Sequence, residues 1–273
     1  MANLLDKASI LLTPTAYNNG SMLSIKPTNG DGDFTFLRNG DASRVNSSGN
    51  IVTEGANLPR INYENGCGSW LLEPQSTNLV TYSEDFSDAS WQKNSTLIVT
   101  TNNAISPDGT QNAARVNKVG SGSRLGIEIP ITSGQSYTLS FYMKNNGGNT
   151  SLETSFDGQS ANQSYTITDN WERYEFTFIA TATETSQIRL FQSAVNIDAH
   201  IWGAQLEQQS YATSYIPTSG ATSTRIQDIA NGSGNSTLIN STEGVLYAEI
   251  AALANSVPTQ RLALSSGNNT NRI

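Results

Sequence analysis

At 273 residues the chain has room for two domains or for one large β domain. Charged residues are only 14%, against about 25% in ordinary soluble proteins, with Asn, Ser, Thr and Gly in their place; this argues against long amphipathic helices and for strands and turns. The net charge of −8 disfavours a nucleic-acid binder, and the 36% hydrophobic share still allows a packed core.

The first segment, 1–68, alternates short apolar pieces with turns. The start, Met1 to Lys7, carries no charged region followed by an apolar stretch and a cleavage site, so no signal peptide is expected. The chain has no apolar run near the ~20 residues that span a bilayer, so no membrane insertion is expected. Ser21–Lys26 and Phe34–Arg38 alternate like strands, separated by turn signals at Tyr17–Gly20, Asn29–Asp33 and Asn39–Asp41. Such strands are too short to bury a core alone, and 1–68 reads as an arm that packs on another subunit or protein. Asp31, Asp33 and Asp41 lack the EF-hand spacing and read as turn residues.

Ser69–Trp91 is the seam. Pro74 holds Glu73 extended. Leu71, Leu72, Leu79, Val80 and Tyr82 call for burial, and Phe86 and Trp91 read as the first anchors of a sandwich. Strand patterns then recur from Thr96 to Leu206. Tyr137, Leu139, Phe141 and Met143 share one face, as do Tyr174, Phe176 and Phe178, and Asn145–Gly148 reads as a hairpin turn. Eight or more short strands at this spacing predict an all-β sandwich over 69–217. Residues 218–243, poor in large apolar side chains, read as a linker. Gly244–Ala251 and Arg261–Ser265 read as a hairpin pair. Two strands are not a domain, so they complete an oligomer or begin a further β domain over 244–273.

Candidate chemistry is sparse. His200, the single histidine, falls inside a strand pattern and reads as a sheet residue; with Cys67 it is too little for zinc. One cysteine forms no intrachain disulfide. Gly120–Gly122 and Gly147–Gly148 lack the ending of a phosphate loop. Glycosidase chemistry needs two carboxylates, and Glu73, Asp85, Glu153, Asp157, Glu172, Glu175 and Glu207 are candidates that no spacing separates. Sugar rings stack on exposed aromatics, and Trp91, Tyr142, Tyr165 and Trp171 are candidate platforms; each is equally a candidate core or interface residue. No catalytic residue and no cofactor are expected, though loop carboxylates leave room for an unassigned structural calcium ion.

Three stretches carry a family likeness: Asn57–Tyr63 with Trp70–Leu79, Tyr82–Phe86 with Trp91, and Trp202–Glu207 with Tyr211–Pro217. In this order they resemble tail-fibre, head-spike and other receptor-side structural proteins of tailed bacteriophages. The part from 80 to 217 is similar to carbohydrate-binding-module jelly rolls, and the start at 244 to the first strands of a laminin-G or concanavalin-like sandwich. The resemblance implies a virion structural protein, made in the host cytoplasm and released by lysis. It implies a homotrimer whose residues 1–68 attach to portal, tail or baseplate proteins and whose sandwich extends toward the host surface. A glycan-binding adsorption module is the alternative, and a polysaccharide depolymerase fragment a third.

Overall fold

The computed structural model describes residues 4–64, 66–94, 96–119, 122–157, 162–193, 196–240 and 242–251. Beyond a single helical turn, Leu4–Lys7, its regular structure is β. The chain begins with β1 (Leu11–Asn18), β2 (Ser21–Lys26), β3 (Phe34–Leu37), β4 (Ala42–Val45), β5 (Ile51–Glu54), β6 (Arg60–Asn62), β7 (Ser69–Leu71) and β8 (Ser76–Asn78). It continues with β9 (Trp91–Lys93), β10 (Ile98–Ala104), β11 (Ala113–Lys118), β12 (Ser123–Ile131), β13 (Ser136–Asn145) and β14 (Ser151–Phe156). Next come β15 (Gln163–Thr166), β16 (Glu172–Ile179), β17 (Glu184–Ser193), β18 (Ile197–Glu207), β19 (Ser223–Arg225) and β20 (Ile229–Asn231).

β9 to β18 form a sandwich of two five-stranded antiparallel sheets, ordered β10-β11-β18-β13-β16 and β15-β14-β17-β12-β9. Period-two alternation drives it. Leu125, Ile127 and Ile129 of β12 face Leu139, Phe141 and Met143 of β13, all buried in one cluster. Asn145–Gly148 is not a hairpin turn. β13 and β14 lie in different sheets, and the turn carries the chain between them. A Cβ on Gly148 would stand 2.1 Å from the Asp198 nitrogen of β18, so only glycine fits there. In β18 a bulge at Gly203, with φ +65°, resets the alternation. Ile197, Ala199 and Ile201 point into the core before it, and Ala204 and Leu206 after it, while Trp202 turns out.

The seam behaves in part as its sequence predicts. Val80, Phe86 and Trp91 enter the sandwich core, where the Phe86 and Trp91 ring centroids are 5.0 Å apart. Leu72 is the exception, 43% exposed, because β7 ends at Leu71 and the chain turns outward there. Asn78 is buried with both ends of its amide satisfied. Its Nδ2 donates to the carbonyls of Ala204 and Ile216, and its Oδ1 accepts from the amides of Val80 and Leu206.

Residues 218–243 are not a linker. β19 pairs with β8, and β20 becomes the fourth strand of the sheet β1-β2-β3-β20. The arm therefore packs on its own chain. The unit that begins the chain is completed by residues after the sandwich, so the sandwich is an insertion within it. Gly244–Ala251 forms no strand and its large apolar side chains are exposed; the expected partner strand at 261–265 lies outside the described residues.

Candidate functional site

The N-terminal unit, together with the strands that follow the sandwich, is held together by buried ions. Arg38 Nη1 contacts Asp228 Oδ1 at 3.1 Å, and its other nitrogens donate to the carbonyls of Gly40, Glu54 and Gly55. Arg60 donates to Asp228 Oδ2 through Nη2, and through Nη1 to the Ser43 carbonyl and Ser214 Oγ, each at 2.8 Å, with Glu73 Oε2 ion-paired at 2.8 Å from the same Nη1. The Glu73 amide donates to Asp228 Oδ2 at 2.8 Å, and Arg225 Nη1 lies 3.6 Å from Glu73 Oε2. All five side chains are at most 1% exposed. Burial alone would push the Glu73 carboxyl up, but Arg225, Arg60 and two bonds from Ser214 outweigh it and hold the carboxyl below its ordinary range.

Beside this cluster, where the two units meet, lies an open cleft of about 90 Å³. Its floor is Tyr142 of β13 and Arg173 of β16, paired across the sheet, with the guanidinium 5.6 Å from the Tyr142 ring centre. Arg173 is pinned by Nη2 bonds to Ser140 Oγ, 2.9 Å, and the Thr213 carbonyl, 2.7 Å. The walls include Glu64 of the β6–β7 turn, Glu175 of β16 and Tyr211. Glu175 Oε1 is 3.7 Å from Arg173 Nε, and its side chain is half-exposed. Burial raises its carboxyl pKa, and Glu64 and Glu207 add to the rise against Arg173. Burial also raises the Tyr142 hydroxyl, with the same Glu64 and Glu175 contributing.

The four predicted platforms separate into two pairs. Trp91 and Tyr165 are core residues and do not face solvent; Trp91 Nε1 donates to the Tyr82 carbonyl and the Tyr165 hydroxyl to the Leu190 carbonyl. Tyr142 and Trp171 stand on the outer face of the β10-β11-β18-β13-β16 sheet. That face is covered by the chain itself: Ile51 and Val45 of the β4–β5 ladder pack with Ala113, Trp202 and Tyr215, and Tyr142 and Trp171 lie against this second core. Trp171 is half-buried, donates to the Ile105 carbonyl and carries Lys144 Nζ 5.1 Å from its ring centre. Only Tyr142 reaches the cleft.

Most predicted carboxylates have structural partners. Glu73 joins the ion cluster. Asp85 closes a turn on Ser87, Asp157 pairs with Arg189, Glu153 accepts from Asn162 and Gln192, and Glu172 accepts from Thr168. Glu207 is buried and accepts from Ser76, Gln205, Gln209 and Thr213. Glu175 alone of that set lines the cleft with an acceptor to spare. Sequence reasoning missed Glu64, Arg173 and Tyr211, which only the tertiary fold brings together. His200 sits in β18 with Nε2 3.0 Å from Asn103 Oδ1, and Cys67 is a free, exposed thiol. Asp33 Oδ1 accepts from the amide and hydroxyl of Ser24, and the Asx turn is made by Asn29. Among the described residues no three His, Cys, Asp or Glu side chains are grouped to hold a metal.

No protein-family model matches the sequence, and no curated protein matches it. Among solved structures the chain is similar to β-sandwich carbohydrate-binding modules and to a phage tailspike domain. The enzymatically active domain of tailspike protein 4 of bacteriophage CBA120 aligns at TM-score 0.37 and 14% identity, over 47% of this chain and 21% of that one. The CBM22-1 xylan-binding domain of Paenibacillus barcinonensis Xyn10C aligns at 0.34 and 11%, over 49% and 94%. TmCBM61, solved with β-1,4-galactotriose, aligns at 0.35 and 14%, over 48% and 99%. The chain thus spans about a fifth of the tailspike chain and nearly all of each binding module.

Proposed function

We propose that this chain is a non-catalytic subunit of a phage tail fibre or spike, acting as a homotrimer, with its N-terminal unit toward the particle and its sandwich toward host glycan. The observation that carries the reading is the packed seam, where the β4–β5 ladder covers the outer face of a sandwich sheet and Ser76 and Asn78 of β8 bond Glu207 and Ala204 of β18: a display protein needs a fixed junction between the part that attaches and the part that is presented. The sequence likeness at Trp70–Leu79 and Trp202–Pro217 supports the virion assignment. Exposed Ile25, Leu37 and Ile229 on the β1-β2-β3-β20 sheet, the last two directly paired, supply an apolar surface for attachment. The test uses phage carrying Ile25→Ser, Leu37→Ser and Ile229→Ser together. Mass spectrometry of purified particles is expected to find the wild-type chain and little of the variant. Equal incorporation of the variant would rule out this attachment face, and absence of the wild-type chain from particles would end the virion reading. Light scattering is expected to give three times the chain mass.

A further inference from the structure

The aromatic outer face of the sandwich cannot serve as an open sugar platform, because the β4–β5 ladder covers it. The cleft at the seam stays open to solvent, and neither unit makes it alone. The sandwich supplies Tyr142, Arg173 and Glu175, the N-terminal unit supplies Glu64, and the segment after β18 supplies Tyr211. We propose that this cleft is the saccharide site, and that it takes a ring offering hydroxyl or ammonium donors while rejecting uronic and sialic acids. The inference rests on the glycan-facing part of the proposed function and assigns its site and ligand class.

The argument is an inventory of spare hydrogen-bonding capacity. Arg44, on the cleft wall, is committed to Glu54, with Nε at 2.7 Å and Nη2 at 2.5 Å from Oε1. Arg173 spends Nη2 on Ser140 Oγ and the Thr213 carbonyl and lies over the Tyr142 ring, while its buried Nε has no hydrogen-bond partner among the described residues and faces Glu175 at 3.7 Å. Glu73 is closed off by Arg60 and Ser214. Two carboxylates stay open against that one guanidinium: Glu175 has its Arg173 neighbour beyond hydrogen-bond distance, and exposed Glu64 has only a 3.4 Å contact from Asn62 Nδ2. Carboxylates accept from sugar hydroxyls and attract an ammonium, and they repel another carboxylate. Tyr142 and Tyr211 add apolar ring surface for the C–H face of a sugar. The volume, well under the ~300 Å³ of a typical enclosed ligand site, suits the edge of one ring. Binding by one site is then weak, and an oligomer gains by presenting several copies.

The experiment uses the full chain on an array printed with bacterial saccharides containing neutral, amino and uronic-acid sugars. Two variants accompany it, the double substitution Glu64→Gln with Glu175→Gln and, separately, Tyr211→Ala. These side chains lie at the surface or cleft edge, and unchanged thermal unfolding confirms that the variants fold. The expected result is binding to neutral and amino sugars, at least tenfold weaker binding to uronic-acid sugars, and at least a tenfold loss for amino sugars in the double variant. Wild-type binding that neither variant alters would overturn the cleft while leaving a glycan-binding protein. Equal binding of uronic-acid sugars would overturn the ligand class. No binding to any saccharide would overturn both this inference and the glycan-facing part of the proposed function, leaving the virion role intact.

Discussion

In the sandwich, Phe141 is ringed by Tyr165, Tyr174 and Phe176, with ring centroids about 6 Å away. In the N-terminal unit the equivalent place is taken by Arg38, ringed by carbonyl oxygens and one carboxylate. The sandwich has ten strands on which to bury apolar area, so its stability accumulates from many non-directional contacts. The N-terminal unit has short strands and few large apolar residues, and it relies on a small number of directional bonds whose loss cannot be shared out. An ionic core of this kind specifies one geometry more firmly than it adds net stability, since desolvation offsets much of the attraction.

That contrast can be broken in graded steps. Phe141→Ala is expected to cost about 4 kcal/mol through lost burial and a cavity, read as a lower urea midpoint of the sandwich transition. Asp228→Ala strands Arg38 and Arg60 without their shared carboxylate and is expected to cost about 3 kcal/mol. Hydrogen exchange should place that loss in β1 to β6 while β12, β13 and β17 stay protected. If the sandwich strands lose protection equally, the two regions unfold as one and the contrast fails. Acid separates them more gently. A carboxylate whose pKa is lowered by folding contributes stability above its unfolded value, about 4.3 for Glu, and that contribution is lost as pH falls through the folded value. Glu73 is such a group, so the N-terminal unit is expected to weaken below about pH 4 ahead of the sandwich. Near-UV circular dichroism of the buried sandwich aromatics and proteolysis of residues 1–62 would follow the two separately. The smallest effect is expected for Arg115→Ala on the sandwich surface, where the ion pair with Asp198 is solvent-exposed on one side and worth less than about 1 kcal/mol. A thermal melt displaced by more than a few degrees would contradict that.

The same contrast explains what could be read from the sequence. Alternation exposes the sandwich directly: Tyr137, Leu139, Phe141 and Met143 announce a strand and its buried face, and both are found. No such signal marks 218–231. Its contribution is made by Arg225 and Asp228, and a charge inside a Ser- and Gly-rich stretch looks like solvated linker until its partners Arg60 and Glu73 are known. Trp91 was legible as a core anchor beside Phe86, whereas Tyr165 was legible as a large aromatic but not as an inward-facing one, because its neighbours come from distant strands. Tyr142 was legible as a candidate stacking platform; Glu64, on a turn between two three-residue strands, carried no such signal, since its place in the cleft depends on where β16 lies.

Arg38 and Asp228 are 190 positions apart. Closing a loop of that length in an unfolded chain is costly in entropy, and the cost grows with the logarithm of its length. Once the sandwich has formed, Asn78 and the β8–β19 pairing hold its two ends side by side, and the remaining search is short. Synthesis from the N-terminus makes β3 early, yet its partner β20 emerges after the whole sandwich. Of the two regions the one translated earlier is therefore completed later, and β3 waits with an open edge until the sandwich has brought its own ends together.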